Sequence, residues 1–357
     1  MKILHLAPIG HYPEGISSVL IKIVPEQVRL GHEVRVASVY RNSFINQLEV
    51  LYIDSIDLFK KLITEFAPDV VHFHGVYKRE YIQFYKILLR KKIPYLVQMH
   101  GALSEYNYGK NHLKKLIANT LFFNGFFKNA GALVFLSESE HRRCVVAKLN
   151  SKAIIIPNGC DCIDGLHLNR KPGSILDIVY IGRISYVEKG FDVLLEAIHL
   201  LRDQGIKDFF ISVYGNPNDN DLALLLKHLK DVENFVGYQG GLYGADKDKR
   251  LRQCDCFILP SKSEGMSMAV MEALSYGIPC LLSIGTNMAE SIDGHSAGWK
   301  FESSPESIKE AIIKAKREYS DNPFFFRNNA LNYSKMFYWP DIARESIESY
   351  KCLIEKR

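Results

Sequence analysis

Residues 257–281 read FILPSKSEGMSMAVMEALSYGIPCL. The apolar run Phe257, Ile258, Leu259 meets Pro260, and a polar loop follows through Ser261, Lys262 and Ser263. Glu264-Gly265 then leads into a helical stretch holding Glu272, and Gly277-Ile278-Pro279 ends it before a second apolar run. Strand, loop, helix, turn and strand in that order make half of a parallel α/β unit. Loops after such strands are where open α/β sheets bind ligands, and helix N-termini there favour phosphate. Glu264 in the loop and Glu272 about one turn into the helix can both face that crevice. Carboxylates beside an anion site need some other ligand, and sugar hydroxyls fit. The plain alternative is a solvated loop residue and an exposed helix residue.

Working outward, the same alternation fills the chain. In the first half, Lys2–Ala7 is a buried strand and the loop PIGHYPEG follows. The apolar spacing of Val19, Leu20, Ile23, Val24 and Val28 predicts a helix over 16–30, with Pro25 as a point of kinking or early ending. Strands are expected at 33–39, 70–74, 95–99, 132–136 and 153–156, and helices at 56–66, 78–92, 113–128 and 138–149. The stretch PNGCDCIDGLHLNRKPG, 157–173, has turn-forming residues and no periodicity, and reads as a linker. Alternation then restarts with strands at 177–181, 209–214 and 235–236 and helices at 190–204, 221–229 and 247–253. Terminal helices are expected at 307–319 and 340–355. Apolar strands in strict β/α alternation imply doubly wound parallel sheets. The expectation is therefore two Rossmann-like domains, 1–165 and 166–339, with a cleft between them. The last helix, 340–357, can pack back on the first domain.

Composition bounds the rest. The 357 residues are enough for two cores, and a hydrophobic share of 47% with 24% charged residues is that of a globular protein. No apolar run reaches the roughly 18 residues of a membrane span. The N-terminus reads as a strand rather than an export signal, and the seven cysteines are an odd number, so a cytoplasmic protein with free thiols is expected. Cys254 and Cys256 alternate at a strand entrance and read as core residues, not metal ligands. The net charge of +5 is uneven: residues 1–165 hold 21 Lys and Arg against 14 Asp and Glu, and the remainder 24 against 26. Segment 78–128 has ten basic residues, two acidic ones and ten aromatic ones. Such a segment suits an anionic membrane surface or is a packed helix with a solvated basic face. No nucleic-acid-binding module is visible, so nucleic acid is not an expected partner.

Two further loops look functional. Gly182-Arg183 follows a strand directly, and Lys189-Gly190 opens the next helix. Both cations would sit at the C-terminal edge of the second sheet, where a guanidinium fork, a point charge and helix amides together neutralise a diphosphate. His100-Gly101 ends a strand of the first half. His5, His72 and His74 read as core or rim histidines. No Asp-x-Asp stands in a metal-binding context, since Asp219 and Asp221 read as a helix N-terminus, so no metal is expected.

Taken jointly, these pieces resemble the retaining glycosyltransferases of family 4, which have the GT-B fold. The glycines of the first loop (Gly10, Gly15), GHEVRV, PDVVHFHG, QMHG, IPNGCD, GRISYVEKGFDVLLEAI, the block containing Glu264 and Glu272, and FYWPDIA occur in the family's order. The resemblance implies that Arg183 and Lys189 hold the diphosphate of a nucleotide-sugar donor, with Gly182 at the same turn. It implies Glu272 on the ribose, Glu264 on the transferred sugar, and the amides of Gly265, Met266 and Ser267 around the phosphates. His100 would contact the sugar, and Gly15 would let the first loop approach the phosphates or acceptor closely. No cofactor is implied beyond the donor itself, and the acceptor would be a glycan or a polyprenyl- or lipid-linked glycan. This chain departs from the family pattern at Met266 and Ser267, where an aromatic residue and proline are usual, at Glu14, where a second glycine is common, and in the wider Arg183–Lys189 spacing. Three rival readings are another GT-B enzyme such as a nucleotide-sugar epimerase, a non-catalytic sugar-nucleotide-binding subunit, and a dinucleotide oxidoreductase. The last lacks the G-x-G-x-x-G fingerprint.

Overall fold

The computed structural model describes residues 1–9, 15–41, 47–169 and 173–355. The chain forms two compact units, 1–159 together with 339–357, and 160–338. The first unit thus ends before the boundary at 165 read from sequence, and Gly10 and Glu14 lie outside the described residues.

In the first unit, strands β1 (Lys2–Leu6), β2 (Glu33–Ser38), β3 (Val50–Tyr52), β4 (Val70–His74), β5 (Tyr95–Gln98), β6 (Ala132–Phe135) and β7 (Ala153–Ile155) form one sheet. Its order is β3-β2-β1-β4-β5-β6-β7, and every pairing is parallel. Val70, Val71 and Phe73 are fully buried, as a strand covered on both faces requires. The helix Ile16–Arg29 runs unbroken through Pro25. The C-terminal helix Trp339–Glu355 belongs to this unit and packs against Ile16–Arg29.

Two sequence expectations are corrected here. The helix expected over 138–149 stops at Arg143, and Cys144 is extended and bridges to Ser104. Its buried Glu140 accepts from the amides of Leu136 and Gly101 and serves as a local anchor rather than part of a long helix. The helix over 113–128 is instead His112–Ala118, one wide π-helical turn at Asn119–Phe123, and Asn124–Lys128.

In the second unit, β8 (Leu176–Ile181), β9 (Phe209–Tyr214), β10 (Val236–Tyr238), β11 (Cys256–Leu259), β12 (Cys280–Ser283) and β13 (Gly298–Phe301) form a second parallel sheet. Its order is β10-β9-β8-β11-β12-β13. Cys254, Cys256 and Cys280 are wholly buried in it. Strand order reverses between β1 and β4 in one sheet and between β8 and β11 in the other. Loops leaving the C-terminal ends of strands at such a reversal diverge and open a crevice. In the second unit those loops carry Arg183 and Glu264.

Candidate active site

The loops after β8 and β11 are tied to one another residue by residue. The Lys262 amide donates to the Glu188 carbonyl at 3.0 Å. Gly190, at φ 74°, caps the helix Phe191–Asp203, and a Cβ there would stand 2.1 Å from the Pro260 carbonyl oxygen. Only glycine permits both that backbone and that approach. Lys262 Nζ donates to Asp192 Oδ2 at 2.5 Å, fastening the start of the same helix to the second loop.

This clamp brings Lys189 and Glu264 together. Lys189 Nζ lies 2.5 Å from Glu264 Oε1, and the two side chains are only 13% and 15% exposed. Glu264 is held in place from behind: its amide donates to the Gly285 carbonyl at 2.8 Å, and Asn287 Nδ2 donates to its carbonyl at 2.7 Å. Arg183 is half-exposed and bonded to Glu188 Oε1 at 2.9 Å. Its carbonyl accepts the Tyr180 hydroxyl at 2.7 Å, which orders the turn after Gly182.

Ser267 is the residue before the helix Met268–Ser275, and its hydroxyl makes no capping bond. The first-turn amides of a helix have no intrahelical partners, so this end offers donors to an anion. Glu272 projects one turn further along and pairs with Lys247 at 2.7 Å, both side chains about a third exposed. Gly265 follows Glu264 in the loop, and Met266 is buried. Lys247, Lys262 and Asn287 were not singled out from sequence. Their spacing carries no motif, and only the fold brings them beside Glu272, Asp192 and Glu264.

His100 and Gly15 belong to the first unit. Gly15 caps the helix Ile16–Arg29 at φ 50°, with open space where a Cβ would be. His100 sits just beyond β5 at φ 49°, a strained backbone for a non-glycine residue. The following Gly101 is gripped through its amide by Glu140 and through its carbonyl by Asn107 Nδ2 at 2.9 Å. Burial pushes Glu140 up to about 7, against the pull of its two backbone amides.

Behind His100 lie His5, His72 and His74, all buried, with ring nitrogens within 4.8 Å of one another. The spacing could accommodate a metal ion, yet hydrogen bonds already use both nitrogens of His5 and of His74. Burial drives the pKa of His5 down to about 4 and of His100 to about 3, and holds those of His72 and His74 well below the normal histidine value.

Comparison with known proteins now decides the family. The model of the glycosyl transferases group 1 matches residues 169–330, and that of glycosyltransferase family 4 matches residues 13–163. The chain belongs to the group 1, family 4 glycosyltransferases. An uncharacterized glycosyltransferase of Methanocaldococcus jannaschii, MJ1607, is 24% identical over 181 residues, which is 50% of this chain and 45% of that protein. The putative colanic acid biosynthesis glycosyltransferase WcaL of Salmonella typhimurium is 26% identical over 159 residues, 42% of this chain and 37% of that one. The matches thus span less than half the length of these two relatives. Among solved structures, Anabaena Alr3699/HepE in complex with UDP superposes with a TM-score of 0.74 at 17% identity, covering 99% of this chain and 100% of that one. This glycosyltransferase has the GT-B fold of two Rossmann-like domains.

Proposed function

We propose that the protein is a retaining, metal-independent glycosyltransferase that moves a sugar from a nucleotide-diphosphate donor to a glycan or lipid-linked glycan. The product would be a cell-surface polysaccharide or glycolipid. The observation that carries this reading is the nearly buried Lys189–Glu264 pair between the two crevice loops. A diphosphate would compete with Glu264 for the Lys189 ammonium. Arg183 and the amides at Gly265, Met266 and Ser267 would take the remaining phosphate oxygens, and the freed Glu264 would accept from a sugar hydroxyl. Glu272 would share its carboxylate between Lys247 and the ribose, and His100 would meet the sugar. Stabilising charge that develops on the departing diphosphate is then the chief catalytic task, and fixed cations and dipoles do that without a metal. The acceptor hydroxyl's proton can pass to the donor phosphate. The similarity to a protein named for colanic acid biosynthesis and to a structure holding UDP supports this reading.

A thermal-shift screen against UDP-, GDP- and ADP-sugars tests it. Donor at a hundred times its dissociation constant stabilises by about 2.7 kcal/mol, a shift of roughly 5–10 °C for a domain of this size. The donor that shifts the melting point should then be consumed only with acceptor present, and equally well in excess chelator. If no nucleotide sugar shifts the transition, the assignment fails. Loss of transfer on chelation removes the metal-free part, and turnover without acceptor transfers the case to an epimerase.

The acceptor side is read from segment 78–128. Seven of its ten aromatic residues, Tyr81, Phe84, Tyr85, Tyr95, Phe123, Phe126 and Phe127, are buried, so the aromatic signal in the sequence is chiefly core. What remains outside is aliphatic: Leu113, Leu116, Ile117 and Leu121, with Phe122, project from successive turns, and Leu113 and Leu121 are 71% and 65% exposed. Exposed Lys110, Lys114 and Lys128 flank them. No helix among the described residues is long and apolar enough to cross a membrane. An apolar strip rimmed by lysines suits the surface of an anionic bilayer, where a lipid-linked acceptor resides. The protein is therefore expected to sediment with vesicles containing phosphatidylglycerol and not with purely zwitterionic ones. Replacing Leu113, Ile117 and Leu121 together with serine should lower vesicle affinity at least a hundredfold, given about 1.5–3 kcal/mol per buried side chain. Undiminished binding by that variant would remove the strip from the membrane contact.

A further inference from the structure

Ser346, Gln27, His5, His74 and His100 of the first unit form one hydrogen-bonded chain with a single direction. It begins at Ser346, whose hydroxyl donates to the Ala343 carbonyl of its own helix at 2.7 Å. With its proton so placed, the Ser346 oxygen accepts from Gln27 Nε2 at 3.0 Å. That contact orients the amide and turns Gln27 Oε1 toward His5 Nε2, 2.9 Å away. A carbonyl oxygen only accepts, so His5 carries its proton on Nε2 and offers a lone pair at Nδ1. His74 Nε2, 2.8 Å from that lone pair, must donate, which leaves His74 Nδ1 as an acceptor. His100 Nε2 lies 3.0 Å from His74 Nδ1 and must donate in turn. Gln98 also reaches His74, and with its Nε2 donating to the Ile156 carbonyl at 3.5 Å it presents Oε1, an acceptor, to the one proton that His74 carries. The Tyr350 hydroxyl, 2.7 Å from His72 Nδ1, also bonds Ser346 and Gln27, and as an acceptor from both it keeps Gln27 Nε2 turned to this side.

We propose that Gln27, through His5 and His74, fixes His100 as the Nε2–H tautomer, which leaves its Nδ1 purely a hydrogen-bond acceptor. Gln27 is then a positioning residue, more than two side chains removed from the chemistry. The part of this proposal that concerns the sugar rests on the reading that His100 meets the donor. Its chemical meaning is selectivity: a lone pair in that place orients a sugar hydroxyl, whereas an N–H would orient a ring oxygen or carbonyl. Burial, which presses His5 and His100 far below the normal histidine range, keeps the chain neutral, so its direction persists at physiological pH.

Long-range proton–nitrogen correlation spectra of the full chain labelled with ¹⁵N-histidine read the tautomers directly, with His100 signals assigned by their loss in His100→Asn. The expected spectrum has His5, His74 and His100 each protonated on Nε2 and unprotonated on Nδ1, unchanged between about pH 8 and 6. His100 protonated on Nδ1, a mixture of the two forms, or a stoichiometric zinc ion lost on replacing His5 would each overturn the proposal. In Gln27→Met, which fills the space without an acceptor, His100 should populate both tautomers. The kcat for transfer should drop about tenfold while the donor KM stays within twofold. A His100 tautomer unmoved by Gln27→Met would refute the relay, and the wild-type spectrum decides the matter if that variant does not fold. If the spectra are as expected but His100→Ala transfers sugar normally, the relay stands and the contact between His100 and the donor is what fails.

Discussion

Lys189→Ala is expected to lower turnover by about 10²–10³, the loss measured when one preorganised donor to a developing anion is deleted. The same substitution should weaken the second unit, because Glu264, only 15% exposed, would keep its charge without a partner. Breaking a fully buried pair from one side costs about 3–5 kcal/mol, and this pair retains some contact with water, so about 1–3 kcal/mol is expected. The two effects separate in the double variant Lys189→Met, Glu264→Gln. Removing both charges should restore most of the melting temperature and none of the turnover. Transfer assays on the single and double variants, alongside their melting curves, check this. Near-normal transfer by Lys189→Ala would remove Lys189 from the diphosphate site, whatever its effect on stability. Arg183→Ala should cost turnover without the stability penalty, since Arg183 is half-exposed and its partner Glu188 is not enclosed with it.

Acidification should unfold the first unit well before it exhausts the ordinary carboxylates. His5, His72, His74 and His100 titrate near 6.5 in the unfolded chain, whereas the folded pKa values are about 4 for His5, about 3 for His100 and well below 6.5 for the other two. A depressed histidine contributes stability that is complete above pH 6.5 and is lost as pH falls toward the folded value. Each contributes a slope of about 1.4 kcal/mol per pH unit in that window. Four together approach 5–6 kcal/mol per unit, comparable with the whole stability of a domain. Glu140 works in the opposite sense: with its folded value up at about 7, its contribution is complete below pH 4.5 and lost as pH rises. One carboxylate cannot offset four imidazoles. Trp339 is buried in the first unit and Trp299 in the second, and they are the only tryptophans. Fluorescence of a Trp299→Phe variant therefore follows the first unit alone. Its urea midpoint should collapse between pH 6 and pH 4.5, and a midpoint that held constant across that interval would contradict the buried neutral cluster.

Much of this molecule could be read from residue order. The apolar runs at 257–259 and 280–283 are strands, and Glu272 does stand one turn into the helix between them. Helix 56–66 and the strand VVHFH are where periodicity put them. The misses have physical reasons. The helix Pro323–Ser334 contains three consecutive phenylalanines and an Asn-Asn pair, so no stripe advertises it. Strand β3 is three residues long, too short for alternation to register. Glu138–Leu149 looked helical because its residues are good helix formers, yet burial of the Glu140 carboxylate against two amides turns the chain away after Arg143. At the site, the places of Arg183, Lys189 and Glu264 at strand and helix ends were legible. Their mutual partners were not. That Lys189 meets Glu264 while Glu272 meets Lys247 depends on loop paths set by Gly190 and Asn287. The aromatic residues of 78–128 misled for the converse reason, since composition cannot tell an inward ring from an outward one.

The path of the chain between the two units has a consequence for synthesis. The first unit is interrupted at Gly159 and resumes only at Trp339, so the second is a guest within it. Ser346 and Tyr350, which the buried histidine network needs, are translated only after the whole of the second unit. The guest can fold while it is being translated, but its host must wait with an open hydrophobic face until the helix Trp339–Glu355 arrives. A stop codon placed directly after Tyr338 would leave the second unit complete and the first permanently unfinished.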